Sequence, residues 1–283
     1  VGDYINNDNS LRYAYFTYDE SIDRADLTDT DNRYTDLYEK INYMNTVISK
    51  VPGASGGTAV KKEQIVAEAR VRRAWYHFLL VGLYAQQYDD AKAEMLGGIP
   101  YVDNTNSAEE KTKLSLKRTY ERILEDCSDE VLSKMVPSNV ENVCRCGLDF
   151  GYGVRARVLF QMKHYDEALK YAELALKING RLENRSSVAN TGKWVLDYDC
   201  PSNYYLIYQD NSNLGDFYGY LISPEVAACI DPNDYVFKYY LAEPYLDPAW
   251  GAPYPTVPEG CLQSNIGDAR WNVWGLRSES MYY

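Results

Sequence analysis

Two histidines and six cysteines are the side chains in this 283-residue sequence best suited to acid–base, nucleophilic or metal chemistry. His77 sits inside an apolar stretch, AWYHFLLVGLY, and His164 stands just ahead of Tyr165. Both places suit a packed or capping imidazole better than a catalytic one. The cysteines fall at 127, 144, 146, 200, 229 and 261. Cys144-Arg145-Cys146 is a C-x-C pair, but neither a C-x-x-C nor a histidine pair accompanies it as a zinc site would require. Free thiols are the expectation. No G-x-S-x-G, H-E-x-x-H or P-loop pattern occurs, and Lys61-Lys62 lies outside phosphate-loop spacing from Gly53–Gly57. Asp89 with Asp90, or Asp197 with Asp199, could mimic a glycosidase pair, which must flank a sugar at about 5–9 Å. Among 41 acidic residues such neighbours arise by chance. The chain therefore reads as a non-enzyme, with no metal and no cofactor.

The elements that would position any binding residues follow from periodicity. Tyr34, Leu37, Tyr38, Ile41, Met44 and Ile48 recur at spacings of three and four, which predicts a helix over 34–48. A glycine-rich loop follows, and helical character resumes over 61–84. Gly97-Gly98-Ile99-Pro100 reads as a turn leading into an extended stretch. Further helices are expected over 119–135, 150–162 and 165–178, the last closed by Asn179-Gly180 as a C-cap. No apolar run reaches the ~18 residues of a membrane helix. The sum 29 − 41 gives a net charge of −12, which would repel phosphate backbones and argues against nucleic acid as a partner.

After residue 190 the composition changes. Residues 191–283 hold 13 Tyr, 4 Trp and 2 Phe, 8 of the 11 prolines, and 4 basic against 12 acidic residues. Helical periodicity fades into expected loops, short helices and a few strands, such as 204–208. So many aromatics argue against disorder.

Two segments align without a gap: Ala74–Ala91 (AWYHFLLVGLYAQQYDDA) and Gly151–Ala168 (GYGVRARVLFQMKHYDEA). Each places Tyr-Asp-acidic-Ala after a helix, at Tyr88 and Tyr165 respectively. The second copy continues with Ala168, Ala172 and Ala175, whose small side chains let two helices approach closely. This is the helix–turn–helix unit of a tetratricopeptide repeat, with the tyrosine packed at the turn.

In this order the residues resemble the SusD/RagB family. EARVRRAWYHFLLVGLY (68–84) followed by GGIPYVD (97–103) is similar to its A-E-A-x-F-L-R-A-Y-Y-Y-F-x-L-V-x-L-Y-G-G-V-P-L-V pattern. YTDLYEKINYMNTVI (34–48) looks like its W-x-x-L-Y-x-x-I-x-x-x-N-x-x-I helix. Residues 116–132 and 159–179 match two later family helices, although the family's Asp-Leu is here Asp126-Cys127. AQQYDDAKAEML (85–96) is an insertion. Ser278–Tyr283 looks like the start of a late family helix, and the family's lipid-bearing cysteine is not in the sequence, so a chain lacking the anchor and the C-terminal part is expected.

The resemblance implies a mainly α fold, with tetratricopeptide-like hairpins forming a scaffold over residues 1–190 and an irregular, aromatic-rich ligand-binding region over 191–283. It implies a lipid-anchored protein at the surface of a Gram-negative outer membrane, which binds glycan and delivers it to a SusC-like TonB-dependent transporter. The only membrane contact implied is through that N-terminal anchor. Sugars present apolar C–H faces that stack on aromatic rings, and hydroxyls that need planar polar partners. Candidate platforms are Trp194, Tyr204, Tyr205, Trp250, Tyr254, Trp271 and Trp274. Candidate polar partners are Asp210, Asn211, Asn213 and Asp247. The alternative is a tetratricopeptide-type scaffold whose concave helix face binds a peptide or protein partner.

Overall fold

The computed structural model describes residues 31–106, 108–138 and 144–182, with residues 21, 204–209, 221–222, 224–231, 233, 241–242, 262–264 and 277–280. The chain divides into two compact units. One gathers Asp31–Leu182, Pro201–Ile207 and Ser280–Tyr283, and the other Val1–Thr30, Glu183–Cys200 and Tyr208–Glu279.

The first unit is a helical body. Helix α1 (Asn32–Lys50) starts where the Asp31 carboxylate accepts from the Arg33 N–H, and it buries Leu37, Ile41 and Met44. A 3-10 turn over Val51–Gly53 and a loop with Gly56 and Gly57 at positive φ lead to α2 (Ala59–Tyr84), which Thr58 caps. Strand β1 (Gly97–Pro100) pairs antiparallel with β2 (Lys113–Ser115). Ser115 and Ser128 cap α3 (Leu116–Asp126) and the single turn α4 (Asp129–Leu132). A hairpin of α5 (Leu148–Gln161) and α6 (Tyr165–Ile178) completes the body. Leu80, Ile41, Ile99, Leu116, Tyr120, Ile123, Phe150 and Leu159 fill one shared interior. The fold is mainly α, built on helical hairpins, as expected.

Four local expectations need correction. The helix expected over 119–135 breaks at Cys127-Ser128. The Arg155 guanidinium donates to the carbonyls of Leu124 and Cys127 at 3.2 and 3.0 Å, ending α3, and Ser128 begins a new turn. The first copy of the repeat is not a helical hairpin, because residues 85–96 contain no helix, with turns over 90–95. Their carbonyls at Leu96 and Ala93 accept from the Leu116 and Lys117 N–H groups, which are otherwise orphaned at the start of α3. The two repeat tyrosines also differ. Tyr88 is buried against Tyr120, whereas Tyr165 is 56% exposed. Finally, Gly180 has no left-handed φ. The left-handed residue is Lys163, at φ 64, in the turn between α5 and α6. A side chain at Gly180 would instead meet the Leu176 carbonyl oxygen at 2.8 Å.

The second unit contains a three-stranded antiparallel sheet, with Leu262–Ser264 between Leu221–Ile222 and Leu241–Ala242. A short helix covers Pro224–Ala228. The strand expected over 204–208 is observed at Leu206–Gln209.

Candidate functional site

Of the eleven residues proposed from sequence, Trp194, Asp210, Asn211, Asn213, Asp247, Trp250, Tyr254, Trp271 and Trp274 lie outside the described residues. The other two are in the helical body, and both are spent on packing. Tyr204 is 7% exposed and donates its hydroxyl to the Asn179 carbonyl at 2.8 Å. Tyr205 is 4% exposed. Its ring meets Phe150 edge-on at 5.0 Å, and the Arg72 guanidinium lies 5.5 Å from its centroid. Burial raises the pKa of both phenols. Neither ring offers a face to a sugar; the pair fastens the 204–205 segment to α5 and α2.

The most elaborate polar chemistry in the described residues is a buried knot around Asp126, at the end of α3. Arg73 on α2 grips this carboxylate through Nε at 2.6 Å and Nη2 at 2.8 Å. Arg70, one helical turn earlier, adds Nε at 2.9 Å, and the Tyr101 hydroxyl donates at 2.6 Å. Burial alone would raise the Asp126 carboxyl, but the Arg73 hydrogen bonds and charge, with those from Tyr101 and Arg70, hold it below the usual carboxylate range.

The knot secures the strand of chain after β1, which makes few ladder bonds of its own. Tyr38 donates to the Pro100 carbonyl at 2.8 Å. Asn45 Nδ2 donates to the Val102 and Asn104 carbonyls, both at 3.1 Å, and Arg73 Nη1 reaches the Asp103 carbonyl at 3.0 Å. The Val102 N–H donates to His77 Nε2 at 3.1 Å, so the proton sits on Nδ1, which faces the Arg73 carbonyl at 3.0 Å. The His77 ring stacks on Tyr101 at 3.8 Å. Burial pushes its pKa down to about 3, so the ring is neutral and fully used. It is the packed histidine expected from sequence.

A second ion pair joins buried Glu68 on α2 to half-exposed Arg145, through Nε at 2.9 Å to both carboxylate oxygens and through Nη2. Glu68 also accepts from the Cys146 N–H at 3.3 Å. Cys127, Cys146 and Cys229 are free thiols. Burial pushes the Cys127 thiol up to about 12. Among the described residues, no three His, Cys, Asp or Glu side chains converge as metal ligands would. None of the described helices is long and apolar enough to cross a membrane.

These knots are scaffold chemistry, and sequence reasoning did not single them out. The available signal was charge on an otherwise buried helix: α2 buries Glu68 and Arg73 along with Val71, Trp75 and Leu80. A fully buried charge requires a partner. The partner of Arg73 lies 53 residues away, where no local pattern points to it.

Comparison with known proteins places this architecture. A SusD-like family model described as starch-binding associating with outer membrane matches residues 1–158. No curated protein sequence matches the chain. A SusD superfamily protein from Bacteroides vulgatus is similar in structure at 15% identity and a TM-score of 0.65, over 78% of this chain and 53% of its own. Surface glycan-binding protein A from Bacteroides uniformis is similar at 13% identity and a TM-score of 0.63, over 88% of this chain and 58% of its own. A SusD superfamily protein from Bacteroides thetaiotaomicron is similar at 19% identity and a TM-score of 0.52, over 62% of this chain and 38% of its own. The chain spans less than two thirds of each of these structures, and at such identities the likeness concerns the fold alone. With more than half its length matched by the family model, this chain belongs to the SusD-like family.

Proposed function

We propose that the protein to which this chain belongs is a cell-surface glycan-binding protein, a binder and not an enzyme. In this reading it is held at the outer membrane by a lipid anchor and delivers oligosaccharide to a SusC-like TonB-dependent transporter. The observation that carries the reading is the family match over residues 1–158, whose description joins starch binding to outer-membrane association. The name of the Bacteroides uniformis relative, a surface glycan-binding protein, agrees with it.

The helical residues before 190 would serve as scaffold and residues 191–283 as the ligand-bearing region. With Tyr204 and Tyr205 committed to the core, the ligand would fall to Trp194, Trp250, Tyr254, Trp271 and Trp274 as stacking platforms. Asp210, Asn211, Asn213 and Asp247 would hydrogen-bond the hydroxyls. Covering one aromatic ring with a sugar face removes apolar area worth about 1.5–3 kcal/mol. Calorimetric titration of the chain with a panel of polysaccharides tests this. Saturable binding is expected, weakened at least about tenfold by Trp250→Ala or Trp271→Ala, since ~1.4 kcal/mol is one decade. Binding of no glycan, or binding indifferent to every one of these aromatics, refutes it.

A further inference from the structure

A cleft of about 290 Å³ opens in the helical body between the Val51–Gly53 turn, the first three turns of α2 and the residues around α4. Pro52, Val66 and Val131 give it apolar walls, while among the described lining residues Lys62, Arg70 and Lys134 bring three cations against the one carboxylate of Glu63. The described lining residues thus carry a formal charge of 3 − 1 = +2, in a chain whose net charge is −12.

Each cation keeps capacity for a ligand. Lys62 is steered by the carbonyls of Pro52, at 3.5 Å, and Ala54, at 2.5 Å, which do not cancel its charge. Arg70 spends Nε on Asp126 and Nη2 on the Glu125 carbonyl, and neither bond uses Nη1. Lys134 meets Glu130 at 3.4 Å, but both side chains are well exposed, and such a pair adds little. The volume lies at the foot of the ~300–1,000 Å³ range of small-molecule sites, enough for one ring and not for a polymer.

We propose that this cleft binds a monosaccharide-sized organic carboxylate, such as a hexuronate. The ring would lie against Pro52, Val66 and Val131, with its carboxylate toward Lys62 and Lys134. A neutral sugar would leave the cationic lining uncompensated, and an inorganic anion would leave the apolar walls unused. None of the aromatic residues proposed above is among its described lining residues.

Titrating the chain with sodium glucuronate, glucose and inorganic phosphate tests the assignment. Glucuronate binds saturably and at least about tenfold more tightly than glucose or phosphate, the scale expected of one charge-assisted hydrogen bond. Its affinity falls severalfold when salt is raised from about 50 to 500 mM. Lys134→Gln, an exposed change that leaves the melting temperature unaltered, weakens glucuronate, as does Lys62→Met. Trp250→Ala and Trp271→Ala leave it unchanged. Glucuronate binding no better than glucose or phosphate, or both lysine variants binding it as tightly as the parent, overturns the proposal.

Discussion

Replacing Asp126 by Asn tests what the buried knot contributes. The substitution preserves shape and removes the charge that Arg73, itself nearly buried, requires. Arg70 donates to one carboxylate oxygen and Tyr101 to the other, and Asn keeps a single oxygen, so one of these two bonds is lost together with half of the bidentate Arg73 pair. Leaving one member of a buried pair unmatched costs about 3–5 kcal/mol. At roughly 2–4 °C per kcal/mol, the melting temperature of the helical body should fall by about 6–20 °C. Circular dichroism at 222 nm follows the α1–α6 signal directly. The control is the double variant Arg73→Met, Asp126→Leu, which removes both charges and should lose less than the two single changes combined. A melting temperature for Asp126→Asn within about 1 °C of the parent would show that the buried Asp126 charge contributes nothing to holding the segment after β1, and the account of the knot would fail.

Three further outcomes are expected. His77 is neutral with its pKa pushed down to about 3, against roughly 6.5 in an unfolded chain, so its contribution is whole above pH 6.5 and drains away as pH falls toward 3. Asp126, held below its ordinary range, acts in the same direction at lower pH; stability by urea titration should therefore decline on acidification, and the His77 carbon resonance should not titrate between pH 8 and 5. Gly98→Ala places a Cβ 2.1 Å from Thr119 Oγ1 and 2.9 Å from the Ser115 carbonyl, and should destabilise by about 1–3 kcal/mol. Gly151→Ala meets only the movable ends of Leu132 and Met135 and should cost less in the same denaturation assay. In thiol labelling of the native chain, exposed Cys229 reacts promptly, while buried Cys127 and Cys146, their thiols raised by burial, react only on unfolding.

The helices of the body were legible because their signals are local. Local helical signals located α1, α2 and α5 to within two residues at each end, and α6 at both of its ends. What escaped depends on distant partners. The break after α3 exists because Arg155 arrives from α5 to occupy two carbonyls. The turn segment 85–96 carries a tyrosine motif shared with the α5–α6 hairpin. In place of the alanine-rich helix that follows the second motif, it runs into Gly97-Gly98, and its carbonyls cap α3 instead. Among the binding candidates, Tyr204 and Tyr205 show the limit of reading aromatics from composition. A ring that stacks on sugar and a ring that fills a core are the same residue, and only burial tells them apart.

The span of the Arg73 bonds bears on how such a chain emerges from the ribosome. This one side chain binds partners 28, 30 and 53 positions away, at Asn45, Asp103 and Asp126. While the first two helices are already outside the exit tunnel, their guanidinium has no counter-ion, and closing the interior around it is unfavourable. Docking must wait for synthesis to pass residue 126, so the α1–α2 pair cannot mature as an early, independent intermediate. Translational pausing before that point would prolong an open, protease-sensitive state, whereas pausing after it would not.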